Sequence, residues 1–121
     1  MKGIVEDHVE PAWAAGEFPR AKALRLEALV DYAPGAAVSR VLLKSPVGTI
    51  TLFSFDAGQG LSEHSAPFDA LVQILDGRAE LTVAGKTFAA ATGDAVLFPA
   101  NVPHAVQAVE RFKMLLTMIR G

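Results

Sequence analysis

The chain contains no cysteine, which excludes disulfide staples, thiolate metal sites and thiol nucleophiles together. Aromatic residues with a polar handle are scarce: Trp13 and Tyr32 stand alone beside seven phenylalanines. Excess positive charge is missing as well. The 11 lysines and arginines are scattered, the formal net charge is -2, and no basic field of the kind that holds nucleic acid exists. No run of roughly 18 apolar residues is present to span a bilayer. The opening MKGIVEDHVE places acid where a secretory leader would carry a basic segment and an apolar run. These absences argue against nucleic-acid and membrane partners and for a cytoplasmic location. What the chain does have is 121 residues with 51% apolar content, enough for one compact domain with its own core.

Residues 1–36 read differently from the rest. Pro11, Gly16 and Pro19 punctuate the first twenty residues and oppose a long regular element, while Ile4, Val5, Trp13 and Phe18 are too apolar for a solvated tail. This stretch is predicted to be an arm packing on the main body. Leu26, Leu29 and Val30 allow about one and a half turns of helix, stopped by the Pro34-Gly35 turn signal.

From residue 37 to 121 the pattern becomes β. Short apolar runs at 38–44, 49–55, 71–75, 79–83, 87–89, 95–98, 105–109 and 112–119 are separated by turn residues. Asp76-Gly77 between two of them reads as a two-residue hairpin, since both residue types tolerate positive φ. About eight strands without long intervening helices predict an all-β sandwich or barrel. Two of the runs are apolar on both parities. Phe112, Met114, Leu116 and Met118 face Leu115, Thr117 and Ile119 across the last strand, and Ile50 and Leu52 oppose Phe53 and Phe55. A strand with one solvated face would alternate more cleanly, so the outer side is predicted to be covered by the arm or by a second copy in a homodimer.

Two segments carry the chemistry. GQGLSEHSAPFDALVQILDG at 58–77 contains Gly58, His64 and Gly77, and GDAVLFPANVPHAVQA at 93–108 contains Gly93, Pro99 and His104. At these spacings the chain resembles the two motifs of the cupin family, in its small single-domain, conserved-barrel form. The resemblance implies a jelly-roll (double-stranded β-helix) barrel with a short N-terminal arm and at most one short helix. It also implies that His64 and His104 converge inside one mouth of the barrel, where the family pattern adds a second His and a Glu to hold a divalent metal. Here those two positions are Ala66 and Ala70, the inner Gly of the second motif is Asn101, and its closing Asn is Ala108.

Strand alternation places Ser62 and Ala66 with His64, puts Ala70 and Val72 on one face, and puts Val106 and Ala108 with His104. These eight residues form the predicted ligand pocket. Asp69, a carboxylate next to the usual Glu position, is the one substitute that a bulge could turn inward. No cofactor is implied with a full ligand set. A divalent transition metal, Zn, Ni, Fe or Mn, at low occupancy on His64 and His104 is the cofactor left open. The alanines imply a wider, less polar pocket suited to a small organic molecule. The leading expectation is therefore a small-molecule-binding cupin without a complete metal site. The first alternative is a metal-dependent enzyme, isomerase- or dioxygenase-like, working through His64 and His104. The second is a structural protein with vestigial histidines. Glycines 58, 60, 77 and 93 are explained as turn formers without any ligand, and His8 lies outside both motifs.

Overall fold

The computed structural model describes residues 20–120, so the sequence readings on His8, Trp13, Phe18 and the first half of the arm lie outside the described residues. Among the described residues a 3-10 turn, Leu26–Ala28, precedes eight strands: β1 (Ala37–Ser45), β2 (Gly48–Phe55), β3 (Gly60–His64), β4 (Asp69–Val83), β5 (Lys86–Ala91), β6 (Ala95–Phe98), β7 (His104–Gln107) and β8 (Phe112–Ile119). All pairings are antiparallel. The expected short helix is thus only a 3-10 turn. Its leading residue, Arg25, offers no side-chain cap, and no basic residue sits in its last turn to favour extension.

The barrel is built around β4. Its first half pairs with β8 and β6, and its second half pairs with β7 and β5. One strand therefore serves two sheets, β1-β2-β8-β4-β6 and β3-β7-β4-β5. The predicted hairpin at Asp76-Gly77 is instead the corner where β4 crosses between them. The register slips between Ile74 and Asp76, and Gly77 takes φ +82. The extra residue inverts the parity of the strand: Ala70, Val72 and Ile74 face the core before it, Ala79 and Leu81 after it. Glycine is required there twice over, because a Cβ on Gly77 would overlap the Arg111 carbonyl and the Phe112 backbone. The true hairpin comes at Ala84-Gly85, both at positive φ, joining β4 to β5.

Between the sheets lies a core of Phe55, Val72, Ile74, Leu81, Val106, Phe112 and Met114, with Phe55 stacked on Phe112 at 4.9 Å between ring centroids. A second cluster explains the two-sided strands. Leu52 and Ile50 of β2 and Leu115 of β8 point outward and are covered by Leu26, Leu29 and Val30 of the segment before the barrel. That segment is pinned at several points. Ser54 Oγ donates to the Asp31 carbonyl, Gly35 N–H donates to the Asp56 carboxylate, and the Tyr32 hydroxyl donates to Asp76 Oδ2 at 2.6 Å. Arg111 and Lys113 both lie over the Tyr32 ring. Burial, then the Asp76 hydrogen bond, pushes the Tyr32 phenol well above its ordinary range. Among the described residues, however, this cover leaves part of the outer face exposed. Leu43, Ile50, Thr117, Leu71 and Leu97 form one continuous cross-strand row on the outer face, and Leu43 and Leu97 are 47% and 55% exposed.

Candidate functional site

His64 ends β3 and His104 begins β7, and the two are direct cross-strand partners. Forty residues of separation collapse because β3 and β7 are neighbours at one mouth of the barrel. Their rings meet edge to face at 4.5 Å, and Phe98 stacks on His104, also at 4.5 Å. His104 is 5% exposed, whereas His64 is open to solvent. Asn101, standing at the motif's glycine position, takes φ +64 in the loop before His104, a conformation that asparagine tolerates better than most residues. Its N–H donates to the Ala66 carbonyl, tying that loop to the one after β3.

Each imidazole is oriented by the carbonyl two residues before it. His64 Nδ1 lies 2.7 Å from the Ser62 carbonyl, and His104 Nδ1 lies 3.1 Å from that of Val102. A carbonyl oxygen only accepts, so Nδ1 carries a proton in both rings, and in the neutral imidazole the lone pair is then on Nε2. Burial, and secondarily the adjacent His64, holds the His104 pKa below the ordinary imidazole value, while the Val102 bond opposes this. The sign follows. The unfolded chain takes up a proton near pH 6.5 and the folded protein only at lower pH, so stability present above about 6.5 is lost as pH falls through the folded pKa. Melting temperatures followed through this range should decline, and His104→Gln should flatten that decline. An unchanged profile would mean that His104 is not held neutral.

The histidines line a cavity of about 40 Å³ with Leu61, Ala66, Phe68, Ala70, Phe98, Val106, Met114, Leu116 and Met118. The wide pocket expected from the alanines is absent. Two phenylalanines and two methionines, from β8 and from the ends of β4 and β6, occupy the space. Of the eight pocket residues read from sequence, His64, Ala66, Ala70, His104 and Val106 line the cavity. Val72 and Ala108 are fully buried in the surrounding core instead. Ser62 is excluded because β3 bulges between Leu61 and His64, which brings Leu61 to the wall and breaks the alternation.

Asp69 is likewise corrected. It pairs with Ile119 on the parity opposite Ala70, is exposed, and its Oδ1 accepts the Ala100 N–H at 2.9 Å. Among the described residues no three His, Asp, Glu or Cys side chains come together. The donor set at the site is thus two imidazoles, short of the three or four protein donors that hold a resident zinc, and it does not fit a tightly bound metal. Phe98, Phe68 and the β8 side chains are site residues that the motifs do not point to. Their signal is the inward parity of Phe112, Met114, Leu116 and Met118, visible in the sequence but shared with an equally apolar outer parity.

The family model for the cupin domain matches residues 51–119, more than half of the chain. The chain belongs to the cupin family. This cupin is 40% identical to a conserved protein of unknown function from Streptococcus pyogenes, covering 86% of this chain and 91% of that one with a TM-score of 0.82. It is 31% identical to a cupin superfamily protein from Desulfitobacterium hafniense, covering 86% and 95% at a TM-score of 0.81. A cupin 2 conserved barrel domain protein from Leptotrichia buccalis is 43% identical over 80% of this chain, which spans 47% of that longer chain, at a TM-score of 0.78. No curated protein matches the cupin in sequence. No helix among the described residues is long and apolar enough to cross a membrane.

Proposed function

We propose that this cupin binds the polar end of a small organic molecule at His64 and His104, without a complete metal site. The observation that carries this reading is that both Nδ1 atoms are committed to backbone carbonyls, which in the neutral rings leaves Nε2 as the acceptor on two histidines that line one small cavity. A cavity of about 40 Å³ admits a head group, and the exposed side of His64 leaves the rest of a ligand at the mouth. The cavity wall offers no carboxylate and no tyrosine. Tyr32, the chain's one tyrosine, is bound to Asp76, so among the described residues lining the cavity no acid opposes an imidazole base, which favours binding over catalysis. A thermal-shift screen of small polar metabolites against chelator-treated protein tests it. A stabilising compound should lose its effect in His64→Ala and in His104→Ala; if none stabilises the parent through these residues, the reading falls.

The same pair of free Nε2 atoms supports a second reading, a loosely held divalent ion completed by water or substrate. Metal content should then be substoichiometric after dialysis. One transition ion per chain surviving a chelator wash would shift the assignment to a metalloenzyme.

The reading also includes a homodimer, supported by the row Leu43, Leu71 and Leu97, exposed on the outer face among the described residues. Light scattering at micromolar concentration should give twice the chain mass, and Leu97→Asp should shift it toward the monomer. A parent that is monomeric by the same measurement removes the dimer from the proposal.

A further inference from the structure

A cross-strand row that borders the cavity runs across five strands: Lys44, exposed at its β1 end, then Thr49, Met118, Ala70 and Phe98 are successive register partners. The last three line the cavity. Thr49 extends the same row, and its Oγ1 is the one buried side-chain oxygen or nitrogen among the described residues without a hydrogen-bond partner. Native interiors seldom leave such a group unmatched. One step further toward the mouth, Arg120 shares the parity of Met118, and its backbone N–H is fixed to the Val47 carbonyl. Its guanidinium lies 4.8 Å over the ring of Phe68, itself a wall of the cavity. Neither Arg120 nor Lys44 makes a salt bridge among the described residues. The nearby carboxylate, Asp69, is on the opposite parity and occupied by Ala100.

The polar groups of the cavity wall are two imidazoles, whose Nε2 atoms in the neutral rings accept and call for an O–H or N–H on the ligand. Over the Phe68 wall lies the Arg120 guanidinium, which calls for an anionic oxygen. We infer that the ligand is a small hydroxy acid, its hydroxyl donated to the His64–His104 pair and its carboxylate held at the mouth by Arg120. The inference rests on the reading that the histidine pair binds a small molecule, and it names the class. Arg120 acts here as a specificity residue. Planar and bidentate, a guanidinium suits a carboxylate better than an ammonium does.

The test uses chelator-treated full-length protein and follows the His64 and His104 ring C–H resonances by NMR during titration with glycolate, acetate, glycolamide and inorganic phosphate. Glycolate should move both rings. Acetate, lacking the hydroxyl, and glycolamide, lacking the charge, should each bind about tenfold more weakly. Arg120→Ala should weaken glycolate about tenfold and leave glycolamide unchanged while retaining the fold by circular dichroism, with Arg120→Lys intermediate. Glycolamide binding as well as glycolate, indifferent to Arg120, would overturn the hydroxy-acid assignment while the histidine-pair reading stands. Phosphate binding more tightly than glycolate would overturn the carboxylate class in the same way. If neither these probes nor any compound from the thermal-shift screen moves the rings, the underlying reading fails and the inference with it.

Discussion

Truncating Phe112 to alanine should lower the unfolding free energy by about 3–5 kcal/mol, the cost of emptying a rigid aromatic site. Phe112 is fully buried, stacks on Phe55, and lies in register with Phe55 on one side and Gly77 on the other. The neighbours have little freedom to fill the void. Gly77 has no side chain to offer, and its backbone already abuts the Phe112 Cα. Urea unfolding should show a lower midpoint with an unchanged slope. Val109→Ala, at a position 70% exposed, supplies the control and should change stability by less than about 0.5 kcal/mol. A loss at Phe112 below about 1 kcal/mol would mean that this ring does not close the core at the β4 corner.

The second large effect is a gain. Ala66 and Ala70 stand where the family pattern places two metal donors, and both line the cavity beside His64 and His104. Ala66→His combined with Ala70→Glu should therefore raise affinity for nickel or zinc by about a hundredfold, since each added donor replaces a bound water at a pair already oriented through Nδ1. The metal-free double variant should be less stable than the parent by about 1–3 kcal/mol, because a cavity of about 40 Å³ cannot take both side chains without displacing Phe68 or Met118. Metal should return that stability through binding linkage. Calorimetric titration checks the affinity. A folded double variant that binds no more tightly than the parent would show that the two Nε2 atoms do not address a common point.

How much of the fold and of the site is legible in the sequence alone? The residues from 37 onward announce strands, and the motif histidines announce the barrel, because turn residues and period-2 patterning are local signals. The failures share one cause. Bulges insert a residue without changing composition, so Asp76-Gly77 has the signature of a hairpin although it is a corner, and alternation turns Ser62 inward although Leu61 takes that place. Glycine at positive φ serves either geometry. Gly60–His64 carries no strand signal of its own, since only Leu61 within it is apolar and that strand is held by its pairing with β7. The cavity size is equally hidden. Alanines at Ala66 and Ala70 signal room, but whether room persists depends on Phe68, Phe98 and Met118, which arrive from three separate strand ends. Outer cover is half visible: the two-sided apolar strands demand it, and Leu26, Leu29 and Val30 supply part of it.

The shared strand has a kinetic meaning. Because the first half of β4 completes one sheet and its second half the other, neither sheet can assemble from a contiguous stretch of chain while the other remains open. β3 must wait for β7, and β2 for β8, each across a span of some forty residues or more. Folding of this barrel is accordingly a late, all-or-none event governed by distant pairings. Amide protons in both halves of β4 should exchange at the same slow rate, through one global opening rather than two local ones.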